Sequence, residues 1–172
     1  MAAMAAPDID GKHFRNVLGH FPTGVTIVTG LTADGAPAGF TIGSFTSISL
    51  DPPLVGFFPM TASDTWAAMA GYGRFCVNVL RSCHGDLCWR FAKTGVDDDR
   101  FDTVAWHPSA TGCPIIDGVG AWIDCAVQDV IELGDHYLVV GAVVGLDQHP
   151  DSDLADPLVF YRGALGSFAG SN

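Results

Sequence analysis

The sequence predicts a mainly β protein, an antiparallel barrel carrying a few short helices. Two observations support this. Six or more segments of the 172-residue chain read as strands bounded by turn residues. The segments with helical spacing are few and short, which argues for a closed antiparallel barrel with helical decoration.

The elements follow in order. Phe14, Val17, Leu18 and Phe21 recur at i, i+3, i+4 and i+7 and form one apolar helical face over residues 9–21. Pro22-Thr23-Gly24 ends that helix. Val25-Thr26-Ile27-Val28-Thr29 is β-branched throughout and reads as a strand, and Asp34-Gly35 marks a hairpin with Pro37 just beyond it. The return strand runs over residues 39–50. Proline donates no ladder hydrogen bond, so Pro52-Pro53 forces an exit from the sheet before the next strand at 54–58. A short helix opens at 61–66 with Ser63 as its cap and ends near Gly71 and Gly73. A strand at 75–80 and a helix from Ser82 to about Lys93 follow, the helix placing Leu87 and Phe91 on one face. Residues 94–113 read as loop. Residues 121–133 and 136–146 form a long hairpin around Gly134-Asp135, and 158–162 is a final strand.

Length and composition give one domain over residues 9–168, with a loose segment at 1–8 and a tail at 169–172. A chain this long buries roughly 70% of its unfolded surface. With 48% apolar and 16% charged residues, disorder is not expected. No apolar run is long enough to span a membrane, and residues 1–7 lack the pattern of a signal peptide. Five cysteines, an odd number, fit reduced thiols in the cytoplasm. Cys83-His84 and Cys88 do not have zinc-ligand spacing, so no metal site is expected. The net charge of −11 argues against a nucleic-acid partner. It also means that an anionic ligand needs local donors: hydroxyls, main-chain amides or one of the eight Lys/Arg residues.

The stretch over residues 39–55 is the most informative. Gly39, Thr41, Gly43, Ser44, Ser47 and Ser49 leave amides and hydroxyls uncovered, which suits a flat, polar-edged ligand lying close to the main chain. No GxGxxG dinucleotide fingerprint, triad or carboxylate pair accompanies it.

Motifs in series give this surface a context. They are Phe14-Arg15-Asn16-Val17-Leu18-Gly19; Pro22 through Thr29; Gly39-Phe40-Thr41 with Ser44-Phe45; and Ser49-Leu50-Asp51-Pro52-Pro53-Leu54-Val55. Phe75-Cys76-Val77-Asn78-Val79-Leu80, Phe91-Ala92, Arg100-Phe101, Gly134-Asp135-His136 and the segment from Pro157 to Gly163 complete the series. In this order, over roughly residues 14–163, the chain resembles the flavin reductase family, the small reductase components of two-component flavin monooxygenases. The resemblance is nearest to reductases that serve aromatic-ring hydroxylases.

The resemblance implies a split β-barrel homodimer that binds FMN or FAD between subunits and reduces it with NADH or NADPH for a separate oxygenase. It implies cofactor contacts from Pro37, Ala38, Gly39, Phe40, Thr41, Gly43, Ser44, Phe58, Pro59, Ser63, Thr65, Ala92 and Arg100. Ser63 and Thr65 are the candidates for the flavin phosphate, with Asp64 between them expected to point outward. Arg100 either supplies positive charge near the flavin tail or pairs with Asp97, Asp98 and Asp99. His136 is the candidate nicotinamide-side residue, joined by Phe101 and Tyr161, which as isolated aromatics also read as core. No acid–base residue is required, because both reactants are cofactors that the protein positions. The lack of an Arg/Lys cluster for a ribose 2′-phosphate favours NADH over NADPH. The competing readings are a non-catalytic flavin-binding or storage protein and another split-barrel flavin or deazaflavin oxidoreductase.

Overall fold

The computed structural model describes residues 8–95, 98–151 and 156–168. Residues 1–7, the tail at 169–172 and Asp97 of the acidic run lie outside the described residues. In chain order the elements are α1 (Gly11–Leu18), β1 (Thr23–Gly24), β2 (Thr26–Leu31), β3 (Pro37–Ile42), β4 (Thr46–Leu50), β5 (Pro53–Phe57), α2 (Asp64–Ala70) and β6 (Arg74–Val79). A 3-10 turn (Ser82–His84), α3 (Gly85–Phe91), a second 3-10 turn (Asp98–Phe101), β7 (Trp106–Pro108) and β8 (Pro114–Ile116) follow. β9 (Ala121–Leu133), β10 (His136–Gln148), β11 (Leu158–Tyr161) and β12 (Ala164–Ser167) complete them.

Seven strands form one antiparallel sheet in the order β3-β2-β6-β9-β10-β5-β4. Its ends, β3 and β4, are separated by only residues 43–45. From Ile42 to Thr46 the chain can span at most ~14 Å. The sheet therefore curls until its two edges lie near each other, yet no ladder joins β3 to β4 among the described residues.

This corrects two expectations. No hydrogen bonds close the predicted barrel among the described residues, and the single strand expected over 39–50 is two strands on opposite edges. The physical reason is local. At the break, the Ser44 hydroxyl accepts from the Phe58 amide at 3.1 Å and donates to the Phe58 carbonyl at 3.3 Å, taking the place of a strand partner.

The hairpins at Asp34-Gly35 and Gly134-Asp135 form as predicted, joining β2 to β3 and β9 to β10. The loop expected at 94–113 contains a 3-10 turn and β7, which pairs with β8. β12, absent from the predicted elements, pairs with β11, which in turn pairs with β1.

β2 and β6 are buried on both faces. Inside the curl, Phe57 sits among Phe40, Trp66 and Phe75, with ring centroids 6.1, 5.7 and 5.1 Å away. Trp66 and Met69 bring α2 into this core. On the other side Ile27, Leu80, Cys88, Phe91 and Ile116 form a second cluster beneath α3. Fully buried Asn78 ties the layers together. Its amide donates to the carbonyls of Ile27 and Pro114, and its carbonyl accepts from the Ile116 amide at 2.8 Å.

α1 begins at Asp10, whose carboxylate accepts from the His13 amide. Its predicted apolar face exists, but Phe14, Val17 and Leu18 are each more than half exposed and no residue of the helix is buried. Among the described residues nothing covers that face.

The five cysteines are free, and four of them are buried. Burial pushes the Cys113 thiol up to about 11 and, with the Asp124 carboxylate nearby, Cys125 up to about 12. Burial raises Cys76 and Cys88 as well. A thiol reagent at pH 8 is therefore expected to label one site per native chain, the exposed Cys83, and five sites after denaturation. Labelling of two or more sites in the native protein would contradict this packing.

Candidate active site

The break between β3 and β4 opens into a cavity of about 390 Å³. This lies in the size range of small-molecule sites. One wall is the chain from residues 40 to 44, the end of β3 and the connection beyond it. The segment 58–60 after β5, residues 62–65 at the start of α2, Phe91 at the end of α3 with residues 92–95 beyond it, and His136 complete the lining.

β3 alternates across this wall. Phe40 and Ile42 turn inward to the core, whereas Thr41 faces α3 and donates its hydroxyl to the Cys88 carbonyl at 2.7 Å. The two glycines serve contacts within the protein. A Cβ on Gly39 would lie 3.3 Å from the Phe91 ring and 3.1 Å from Thr29, and one on Gly43 would lie 3.0 Å from the Thr23 hydroxyl. Gly39 thus lets β3 approach α3 closely and lies behind the cavity, while Gly43 both lines the cavity and allows the connection to cross β1.

The polar part of the cavity lies around α2. The Ser63 hydroxyl accepts from the Trp66 amide at 3.2 Å as the predicted helix cap, which leaves its own proton free for another acceptor. Thr65 is buried and committed: its hydroxyl donates to the Gly95 carbonyl and accepts from Arg100. Asp64 is exposed but also lines the cavity, so it does not turn wholly away as expected. Exposed Lys93 lines the cavity too and brings a cation to it.

Arg100 stands behind the cavity wall rather than in it, and its expected pairing with Asp97 and Asp98 falls outside the described side chains. It is only 3% exposed, does not line the cavity, and forms no ion pair with a carboxylate among the described residues. Its guanidinium donates to the Gly39 carbonyl at 3.0 Å, the Thr65 hydroxyl at 3.2 Å, the Lys93 carbonyl at 2.9 Å and the Gly95 carbonyl. It is a strut that ties β3, α2 and the 93–95 segment together behind the cavity wall. A buried guanidinium with no carboxylate partner among the described residues favours negative charge in the space next to it.

His136 opens β10 beside the cavity. Its backbone bridges to Met60, and the Asp135 carbonyl accepts from the Thr61 amide at 2.9 Å, so the hairpin tip is fastened to the 58–61 segment. The imidazole Nδ1 lies 2.7 Å from the Asp135 carboxylate. That contact holds the exposed Asp135 carboxyl below the usual carboxylate range. With Nδ1 engaged, Nε2 is the nitrogen left for a ligand.

The cavity thus gathers Phe40, Thr41, Gly43, Ser44, Phe58, Pro59, Ser63, Thr65, Ala92 and His136 from the predicted set. Pro37 and Ala38 lie at the other end of β3, Ala38 inside the core. Phe101 packs edge-on against Phe91 at 5.0 Å and so belongs to the second cluster. Tyr161 is 45% exposed and does not line the cavity. Sequence reasoning missed Lys93, Thr94 and Gly95. The adjacent Phe91-Ala92 pair was the available signal, but Lys93 was read as the last residue of a helix that in fact stops at Phe91.

The cavity, walled by residues 40–44, edged by hydroxyls, a lysine and a histidine, lies at the open edge of a curled antiparallel sheet. The comparisons with known proteins specify the class: residues 18–169 match the flavin reductase like domain, and the chain belongs to that family. It is 48% identical over 161 residues to a flavin reductase of Pseudomonas putida, covering 94% of this chain and 92% of the relative. It is 46% identical over 155 residues to the reductase subunit HsaB of a flavin-dependent monooxygenase of Mycobacterium tuberculosis, covering 90% and 81%. Among solved structures, a nitrilotriacetate monooxygenase component B homologue from Mycobacterium thermoresistibile superposes with a TM-score of 0.86 at 46% identity, over 92% of this chain and 86% of that one. The Streptomyces globisporus NADH:FAD oxidoreductase SgcE6, in complex with NAD and FAD fragments, gives 0.83 at 34% identity over 95% and 98%. The chain is a flavin reductase of the kind that serves a monooxygenase partner.

Arg100→Lys keeps the charge but cannot reach four acceptors at once. It is expected to lower unfolding stability by about 2 kcal/mol in a urea titration. FMN affinity is expected to fall with it, as the 93–95 segment loosens. Unchanged stability would mean that the strut is not needed.

Proposed function

We propose that this chain holds FMN or FAD in the cavity between β3 and β4 and reduces it with NADH, as one half of a two-component system whose oxygenase hydroxylates an aromatic ring. The observation that carries this reading is the cavity itself. It combines a main-chain wall at residues 40–44 with a hydroxyl and a lysine for a phosphate and an imidazole at the open rim. A bound flavin supplies the redox chemistry, accepting a hydride from the reduced nicotinamide.

The residues here bind and orient. The main chain of 41–44 faces the polar edge of the ring, apart from the Ile42 carbonyl, which accepts from the Thr26 hydroxyl at 3.0 Å. Ser63 donates its free hydroxyl proton to the phosphate, and Lys93 neutralises it in a chain of net charge −11. Thr65 acts through the strut, since its hydroxyl is already engaged on both sides. His136, held by Asp135, positions the nicotinamide with Nε2. None of these steps needs a proton donor or nucleophile, and orientation of two flat rings is the catalytic contribution.

The active unit in this reading is a homodimer of split barrels. The uncovered apolar face of α1 and a groove of about 580 Å³ support it. That groove runs from Leu18 and Phe21 to residues 43–46 and shares Gly43, Ser44 and Phe58 with the candidate site. A second copy seated there would cover the helix and finish the cavity.

The test is NADH oxidation with FMN, FAD, riboflavin or no flavin added. Turnover that depends on added flavin is expected, with NADPH the poorer donor. Flavin binding without turnover would favour a storage protein. Ser63→Ala is expected to weaken FMN about tenfold, the loss of one charge-assisted hydrogen bond, and riboflavin little. His136→Ala is expected to raise the KM for NADH while leaving the FMN Kd near its original value. Equal effects of Ser63→Ala on FMN and riboflavin would remove Ser63 from the phosphate.

A further inference from the structure

Among the described residues, three titratable side chains line the candidate flavin cavity: Asp64, Lys93 and His136. The imidazole of His136 is engaged by the Asp135 carboxylate at the rim. Asp64 follows Ser63, whose hydroxyl has a proton to spare, and the two residues border the same space. The Asp64 carboxylate is exposed and makes no ion pair among the described residues, not even with Lys93.

These charges nearly cancel along the cavity wall. Lys93 contributes one positive charge to the lining and Asp64 one negative. The cation left over is Arg100, behind the wall and bonded to Gly39, Thr65, Lys93 and Gly95. One uncancelled positive charge matches a phosphate that carries a single negative charge. It compensates only half of a phosphate that carries two, and the cost of stripping water from an ion rises with its charge. Flavins differ in this respect. The terminal phosphate of FMN is a monoester with close to two negative charges above neutral pH. The corresponding phosphate of FAD is esterified on both sides and carries one, and riboflavin has none.

We propose that Asp64 is a specificity-determining residue: it turns the phosphate subsite toward the diester of FAD and away from the monoester of FMN. The proposal rests on the reading of this cavity as the flavin site. Repulsion from a fixed carboxylate scales with the charge it meets. For charges about 6 Å apart in water it amounts to about threefold in affinity per unit of ligand charge. Removing the carboxylate therefore helps FMN most, FAD less and riboflavin not at all. A role confined to the fold, as the acidic residue in the first turn of α2, would move all three together.

Calorimetry at pH 8 and low salt reads the Kd of each flavin without turnover. Wild type is expected to bind FAD more tightly than FMN. Asp64→Asn is expected to tighten FMN about tenfold and FAD about threefold, with riboflavin as the uncharged reference. Asp64→Glu, which keeps the charge, should retain the wild-type order. In 1 M salt, where the Debye length is about 3 Å, the gain from Asp64→Asn should largely vanish. Equal shifts for the three flavins, no shift for FMN, a gain that persists in 1 M salt, or a wild type that prefers FMN would each overturn the proposal. So would an Asp64→Glu variant that behaves like Asp64→Asn. A wild-type protein that binds none of the three flavins would overturn the underlying reading of the cavity; flavin binding that ignores Asp64 would overturn the role of Asp64 alone.

Discussion

The three-residue connection from β3 to β4 is the constraint on which the rest of the structure depends. It joins the two ends of a seven-stranded sheet, so the sheet has to curl over the aromatic cluster around Phe57. It also keeps those ends from pairing, because Ser44 uses its hydroxyl on the backbone of Phe58. The result is an opening lined by main chain, which is the scarce ingredient of a site for a flat cofactor. In a fully paired barrel the same amides and carbonyls would be consumed by ladders.

Keeping such an opening in shape is the task of buried polar groups. Arg100 reaches three separate segments from behind the wall, and Asn78 joins β2, β6 and the 114–116 segment beneath. Each is costly to bury unless all its partners are present. The strut also places positive charge beside the cavity without exposing it, so a strongly acidic chain can still receive an anion there. Fold and binding are coupled through the same guanidinium.

Much of this was legible in the sequence, for identifiable reasons. Asp34-Gly35 and Gly134-Asp135 are turn chemistry, and both hairpins formed, the second with nearly its predicted strand limits. Ser63 was readable as a cap because capping is local. The break after Ile42 was not readable: residues 39–50 carry continuous strand-forming character, and only closure of the sheet decides that the chain changes edge. The apolar face of α1 was plain from its spacing, but amphipathic spacing says nothing about what covers it. Gly39 stood out as a place for close approach to the main chain, and the neighbours that approach it are Thr29 and the Val28 carbonyl of β2 and the ring of Phe91. Phe101 and Tyr161 came from the family resemblance, and the structure gives one to the core and leaves the other exposed while Phe160 faces a cleft.

The central claim is that the opening between β3 and β4 is where flavin binds. Hydrogen–deuterium exchange with and without saturating FMN tests it directly. The account predicts slowed exchange in the segments 40–44, 58–65 and 92–95 and at the start of β10, with β7 and β8 unchanged. Protection confined to other segments, or spread evenly over the sheet, would contradict it.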